Sequence, residues 1–199
     1  MIISDSCKFV FVHIPRNAGS SIRVALKPFG DDQWAGSRVR WHEMLPALMA
    51  RHPALKTHFK FAFVRNPWER VASLFCYAKE TMAPTYPPFQ SMESLETMLR
   101  LFDRTDTRLR MMHFIRPQCE YICGEDGQRL TDFVGRYENL DADFALACRR
   151  IGITAALPKI NVSERRGYAS YYNSWCRDFV ATRYARDIGE FDYTFGDPS

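Results

Sequence analysis

An arginine and a run of small residues follow the first apolar segment of the chain, in the order HIPRNAGSS. Residues 9–14 are apolar, aromatic and β-branched, which is typical of a strand buried on both faces. From Ser20 onward, the spacing of Ile22 and Leu26 predicts a helix capped by a serine. Backbone amides converge on an anion where a strand, a tight loop and a helix follow one another. We therefore expect an anion-binding loop to which Arg16 adds a positive charge, an ordinary strand-to-helix turn being the alternative.

A second basic residue stands at a similar junction, where the apolar residues 59–64 run into RNPWERVAS. Asn66 is expected to cap the following helix, with Glu69 as the acid of a capping box. Ser73 lies seven residues past the cap, about two helical turns, so it returns to the side of the helix on which Asn66 lies. Ligands of open α/β sheets bind at the carboxyl ends of strands. Arg65 and Ser73 are thus predicted to hold a phosphate monoester, the alternative being an ion pair between Arg65 and a carboxylate such as Glu69.

The first loop differs from that of a nucleoside-triphosphate enzyme. A Walker loop reads GxxxxGK[ST], but no lysine follows Gly19, and Arg16 stands three positions before it. No acidic pair has metal-binding spacing, and Cys119 and Cys123 lack the second pair of a zinc site. We therefore expect neither an ATP- or GTP-using P-loop enzyme nor a metal site.

Strands and helices alternate along the chain, which predicts an α/β protein with a mainly parallel sheet. After the first strand and helix, strands are expected at 38–41, 59–64 and 131–137, and helices at 43–51, 92–102, 141–151 and 174–184. Gly152 is expected to end the third of these helices. At 199 residues the chain is predicted to be one domain, 1–199, with an acceptor-side insertion at about 79–132.

The composition of the chain argues against several other classes of protein. Hydrophobic residues make up 46% and charged residues 25% of the chain, which is ordinary for a globular protein. A net charge of +4 without a Lys/Arg run suits a small polyanion and falls short of a nucleic-acid-binding footprint. We find no basic n-region and no long apolar segment, so we expect no signal peptide, no membrane span and a cytoplasmic location with reduced thiols. The pattern leaves the oligomeric state open.

Several blocks of the chain resemble the carbohydrate-type sulfotransferases, which use 3′-phosphoadenosine 5′-phosphosulfate (PAPS). HIPRNAGSSI resembles the family's phosphosulfate loop, and FKFAFVRNPWERVASLF is very similar to its 3′-phosphate motif. HFIRPQ, DFVGRYENLDADF, LPKINVSER and YARDIGEFDY resemble later elements in the same order. The resemblance covers nearly the whole chain and implies a P-loop-like three-layer α/β sandwich with helices flanking a mainly parallel sheet.

The resemblance implies PAPS as co-substrate, adenosine 3′,5′-bisphosphate as product, no metal, and a saccharide, glycolipid or small-molecule acceptor. It implies that the nucleotide is held by Arg16, Asn17, Ala18, Gly19, Ser20, Ser21, Arg65, Ser73 and Arg165. The family usually has lysine in place of Arg16 and threonine in place of Asn17. An arginine keeps the charge that stabilises a leaving group but does not give up a proton, so Arg16 is expected to act by charge alone.

The acceptor hydroxyl must lose a proton, for which a histidine is suited. His42 stands where related sulfotransferases often have a histidine, and we assign the base to it; His113 and Glu43 are the alternatives. His13 is expected to point into the sheet or to orient the loop. Two other functions stay open: a P-loop nucleotide or small-molecule kinase, and a catalytically inactive nucleotide-binding relative.

Overall fold

A computed structural model of the chain describes residues 1–31, 34, 41–82, 87–90, 92–103, 112–158 and 167–197. Two predicted segments lie outside these residues: the first three positions of the strand at 38–41, and the basic stretch that contains Arg165. Contacts divide the chain into two compact units. Residues 1–65 and 118–162 form the first unit, and residues 66–117 and 163–199 form the second. The single-domain organisation with an insertion at about 79–132 stays a prediction.

The strands are β1 (Ile2–Ser4), β2 (Phe9–Val12), β3 (Phe59–Val64) and β4 (Phe133–Arg136). The helices are α1 (Gly19–Leu26), α2 (Leu45–Arg51), α3 (Pro67–Tyr77), α4 (Pro87–Gln90), α5 (Leu95–Asp103), α6 (Met112–Ile115), α7 (Cys119–Ile122), α8 (Leu140–Ile151), α9 (Ser174–Arg183) and α10 (Ala185–Phe191). Short 3₁₀ turns cover Lys27–Phe29, Pro53–Thr57, Tyr137–Asn139 and Tyr168–Tyr171, and a π-helical turn covers Ala78–Met82.

The first unit contains a four-stranded sheet in the order β1-β2-β3-β4. β2 pairs with β3 and β3 with β4 in parallel, with Phe61 opposite both Phe11 and Phe133. β1 pairs with β2 antiparallel at the edge. The predicted α/β class with a mainly parallel sheet is confirmed. β1 could not be predicted from the sequence, because its three residues are too few to show an alternating pattern.

One face of this sheet carries the phenylalanines Phe9 and Phe11 of β2 and Phe61 and Phe63 of β3. Alternate residues of a strand share a face, and the rings of Phe11 and Phe61 lie 5.4 Å apart. Helices α1 and α8 cover this face with Ile22, Leu26, Phe144, Ala147 and Cys148. Each buried phenylalanine, isoleucine or leucine side chain contributes about 1.5–3 kcal/mol to the free energy of folding. The packing holds β2 and β3 side by side, so the segments that follow their carboxyl ends are neighbours.

The ends of some helices coincide with signals in the sequence. Gly152 adopts the left-handed conformation, φ 80°, and ends α8 as predicted. Pro46 lies in the first turn of α2, where a missing amide hydrogen costs nothing. The predicted helix at 174–184 is present as α9, but α10, which follows after Tyr184, was not predicted.

The second unit is helical in its described residues. The indole of Trp68 in α3 donates to the carbonyl oxygen of Arg177 in α9 over 3.0 Å, and the Tyr172 hydroxyl donates to the carbonyl of Trp68 over 2.7 Å. The Phe195 ring packs edge-on against Trp68 at 5.7 Å. In the described residues, none of the helices combines the length and the apolar character needed to cross a bilayer.

Candidate active site

The loop after β2 has an unusual backbone. Arg16 and Ala18 both adopt left-handed conformations, with φ of 69° and 57°. Ala18 is the N-cap of α1, and its carbonyl accepts the first helical hydrogen bond from the amide of Ile22 over 3.1 Å. The predicted serine cap is wrong, because α1 begins at Gly19 and both serines therefore lie inside its first turn. A left-handed alanine or arginine costs about 1–2 kcal/mol, so tertiary contacts must hold the loop.

Asn17 supplies such contacts from the middle of the loop. Its side chain is buried, with 1% exposed. The amide nitrogen donates to the carbonyl oxygen of Phe63 in β3 and to the side-chain oxygen of Gln118, each over 2.7 Å. The loop is thereby fastened to the neighbouring strand between its two left-handed residues.

His13 supports the same loop from below. A Cβ built on Gly19 would lie 1.8 Å from Cδ2 of His13, so the loop passes over the imidazole only because this residue is glycine. His13 is buried and lies against this loop. Burial lowers the pKa of His13 well below its usual 6.5, and the nearby amino terminus, His42 and Arg23 lower it further. The ring is therefore neutral at physiological pH.

Arg65 follows β3 and is nearly buried. Its guanidinium donates to the carbonyl oxygen of Arg16 over 3.3 Å and lies 3.7 Å from the centre of the Tyr137 ring. Its main-chain amide donates to Gln118 over 2.9 Å, and its carbonyl accepts from the Gln118 amide over 2.9 Å. The two predicted basic segments, at Arg16 and Arg65, thus lie side by side within the first unit.

His42 lies beside the same loop. Its Nδ1 is 3.1 Å from the carbonyl oxygen of His13, and the two rings are 4.3 Å apart. A carbonyl only accepts hydrogen bonds, so Nδ1 carries the proton in the neutral ring and the lone pair is on Nε2. Of the alternative candidates for the base, Glu43 forms an ion pair with Arg51, and the His113 ring packs against Phe114 in the second unit.

The predicted start of α3 is confirmed in the second unit. The Asn66 side-chain oxygen accepts from the amides of Trp68 over 3.0 Å and Glu69 over 3.4 Å, and its nitrogen donates to the carbonyl of Thr194 over 2.9 Å. Ser73 is in the same helix with 1% exposed. Arg165 lies outside the described residues.

Across the described part of the chain, no group of three or more His, Cys, Asp or Glu side chains has metal-site geometry.

Sequence reasoning missed two residues of the first unit that contact the predicted site, Gln118 and Tyr137. Both belong to blocks that carry the family resemblance. Neither received a role, because Gln118 is 101 positions from Asn17 and 53 from Arg65, and no local pattern reports such a contact.

The groups that meet here are hydrogen-bond donors. Two arginines and the first-turn amides of α1 lie at the carboxyl ends of parallel strands, and the first amides of a helix have no partner within that helix. This arrangement is suited to a ligand with negative charge. The first unit therefore presents these donors at the carboxyl ends of its parallel strands, the edge at which open α/β sheets bind ligands.

The chain belongs to the sulfotransferase family, whose sequence model matches residues 1–194. Carbohydrate sulfotransferase 10 of Rattus norvegicus and that of Mus musculus are each 26% identical to it over 166 residues, covering 69% of this chain and 46% of theirs. An uncharacterized protein of Archaeoglobus fulgidus is 29% identical over 132 residues, 62% of this chain and 97% of its own. The chain thus spans about half the length of the rat and mouse relatives. No solved structure matches it significantly.

Proposed function

We propose that this protein transfers the sulfuryl group of PAPS to a hydroxyl and releases adenosine 3′,5′-bisphosphate. The observation that carries the proposal is the contact between Arg65 and the carbonyl of Arg16, which brings two basic strand ends together in a chain of the sulfotransferase family. Because the rat and mouse relatives are named carbohydrate sulfotransferases, we propose a saccharide or glycolipid as the acceptor, or a small molecule that carries a similar hydroxyl.

The donor nucleotide has an anionic group at each end. In this proposal Arg16 and the loop residues Asn17 to Ser21 hold the 5′-phosphosulfate, and Arg65 holds the 3′-phosphate. Support comes from the donor character of the loop, whose N-cap residue Ala18 has no side-chain oxygen to occupy the first-turn amides of α1. The family resemblance adds Ser73 and Arg165 to the residues that are proposed to hold the nucleotide.

The acceptor oxygen forms a bond to sulfur as the bond from sulfur to the bridging oxygen of the 5′-phosphate breaks. Negative charge grows on that bridging oxygen, and fixed donors there supply most of the catalysis. Arg16 and the loop amides are proposed for this role. The proton of the acceptor hydroxyl passes to Nε2 of His42, the nitrogen that bears the lone pair when Nδ1 donates to the carbonyl of His13. The reaction in principle uses no metal.

The proposal is tested by comparing thermal unfolding with adenosine 3′,5′-bisphosphate and with ATP. At 100 times its dissociation constant a ligand adds about 2.7 kcal/mol of stability, which for a chain of this size is a shift of roughly 5–10 °C. We expect this shift with the bisphosphate and none with ATP. Incubation with labelled PAPS and an acceptor panel then identifies the sulfated product.

Equal shifts with both nucleotides would favour a P-loop kinase. A shift with the bisphosphate alone, without transfer of label to any acceptor, would favour a catalytically inactive relative. We also propose a cytoplasmic location, supported by six cysteines that lack the spacing of a disulfide framework.

A further inference from the structure

Gln118 connects the two segments that the proposed function assigns to opposite ends of the nucleotide. It is fully buried at the start of α7. We infer that Gln118, together with Asn17, is a positioning residue that fixes the spacing between the phosphosulfate loop and Arg65, and thereby selects ligands with two phosphates. This inference rests on the proposed function.

The hydrogen bonds of Gln118 reach both segments through one side chain. Its Oε1 accepts from the Asn17 side-chain amide over 2.7 Å and from the Arg65 main-chain amide over 2.9 Å. Its Nε2 donates to the carbonyl oxygen of Arg65 over 2.9 Å. Gln118 therefore holds the backbone of Arg65 through its amide and its carbonyl, and holds the loop through the side chain of Asn17.

Asn17 completes the connection by binding β3 as well. Its amide nitrogen donates to the carbonyl of Phe63 over 2.7 Å in addition to Gln118. An amide nitrogen has two hydrogens to donate, whereas a threonine hydroxyl has one. A threonine at position 17 would therefore replace at most one of these two bonds.

The arrangement of donors also explains why the connection is rigid. The hydrogen bonds described above join Gln118 to Asn17 and Arg65, which are at most 5% exposed. A buried donor that loses its partner is costly, so the loop and the Arg65 backbone cannot move apart independently. A ligand that spans both segments gains from a fixed spacing, whereas a ligand that contacts only one gains nothing.

The test compares adenosine 3′,5′-bisphosphate with adenosine 5′-monophosphate by titration calorimetry, in the full chain and in Gln118→Met. Methionine keeps the length of the side chain and removes its amide. We expect the preference for the bisphosphate over the monophosphate to fall by about tenfold or more, since a buried amide of Arg65 loses its partner. Asn17→Thr should reduce the same preference, and it provides a second variant if Gln118→Met folds poorly.

Ser4→Ala is the matched control. Ser4 is also fully buried in the first unit and its hydroxyl accepts a hydrogen bond from the Cys7 amide over 3.0 Å. It pairs with Phe9, at the end of β2 away from the loop. We expect this variant to lose stability while its nucleotide preference is unchanged.

If Gln118→Met and Asn17→Thr lower both affinities equally, or neither, Gln118 has only a structural role and the inference is overturned. If the unaltered protein itself shows no preference for the bisphosphate, the proposed donor nucleotide is wrong, and the inference fails with it. The two failures are distinguished by the unaltered protein alone.

Discussion

The guanidinium of Arg65 donates a hydrogen bond to the main-chain carbonyl oxygen of Arg16 over 3.3 Å. These residues are 49 positions apart in the chain and follow adjacent parallel strands, β2 and β3. A carbonyl accepts the hydrogen bond, so the charge of Arg65 is not cancelled by this contact. Arg16 and Arg65 are thus neighbours at the ends of two adjacent strands, and each can be replaced separately.

Replacement of Arg65 should weaken binding of adenosine 3′,5′-bisphosphate. Charge-assisted hydrogen bonds contribute about 1.5–3 kcal/mol, so Arg65→Ala is expected to raise the dissociation constant by roughly 10- to 100-fold, measured by calorimetry. Arg149→Ala, which removes the same charge from an exposed position in α8, serves as control. If both variants lose the same affinity for the bisphosphate, the effect comes from the net charge of the protein and not from a contact with Arg65.

Replacement of Arg16 should affect turnover more than binding of the product nucleotide. Arg16→Ala is expected to lower kcat by about 100- to 1000-fold, the usual effect of removing a donor at a developing negative charge. Arg16→Lys should keep a larger part of the rate, because lysine also carries a charge. Initial rates with labelled PAPS measure both. A normal rate in Arg16→Ala would show that Arg16 does not stabilise the leaving group.

His42→Ala should leave bisphosphate affinity intact and lower turnover by about 100-fold or more, since general-base catalysis typically contributes 10²–10⁴. The same measurements on Glu43→Gln and His113→Ala compare the two other candidates. Should His113→Ala lose the activity and His42→Ala keep it, the base assignment passes to His113.

His13 should make folding stability depend on pH. Its pKa in the folded protein is well below 6.5 because the ring is buried. Below about pH 6.5 the unfolded chain binds a proton that the folded chain does not, so stability falls as pH decreases, by up to about 1.4 kcal/mol per unit. Denaturant titrations between pH 5 and 7.5 should show a flatter profile for His13→Phe. An identical slope in the two proteins would contradict this role.

Gly19→Ala should destabilise the loop. The added Cβ would lie 1.8 Å from the His13 ring, so one of them must move, at a cost of about 1–3 kcal/mol. Gly189→Ala is the control, because no heavy atom lies within 4 Å of a Cβ at this position of α10, and there alanine should add roughly 0.5–1 kcal/mol. Urea titration measures both variants, and equal stabilities would remove the argument for glycine at position 19.

The sequence by itself determined the elements whose signals lie within a few residues. β3 occupies the predicted residues, Asn66 caps α3, and Gly152 ends α8. A strand composition, an N-cap and a left-handed glycine each depend on neighbours in the chain. The resemblance of whole blocks gave the family, which the match over residues 1–194 confirms.

Only the tertiary structure decided how the loop is held. Ala18 takes a left-handed conformation in place of the predicted serine cap, and Gln118 binds Asn17 across 101 positions of sequence. A local preference for serine is worth about 1 kcal/mol, and buried hydrogen bonds from distant residues together outweigh it. Periodicity and capping rules describe neighbours within a few residues, whereas the spacing between the Arg16 loop and Arg65 depends on side chains that meet only after the sheet has formed.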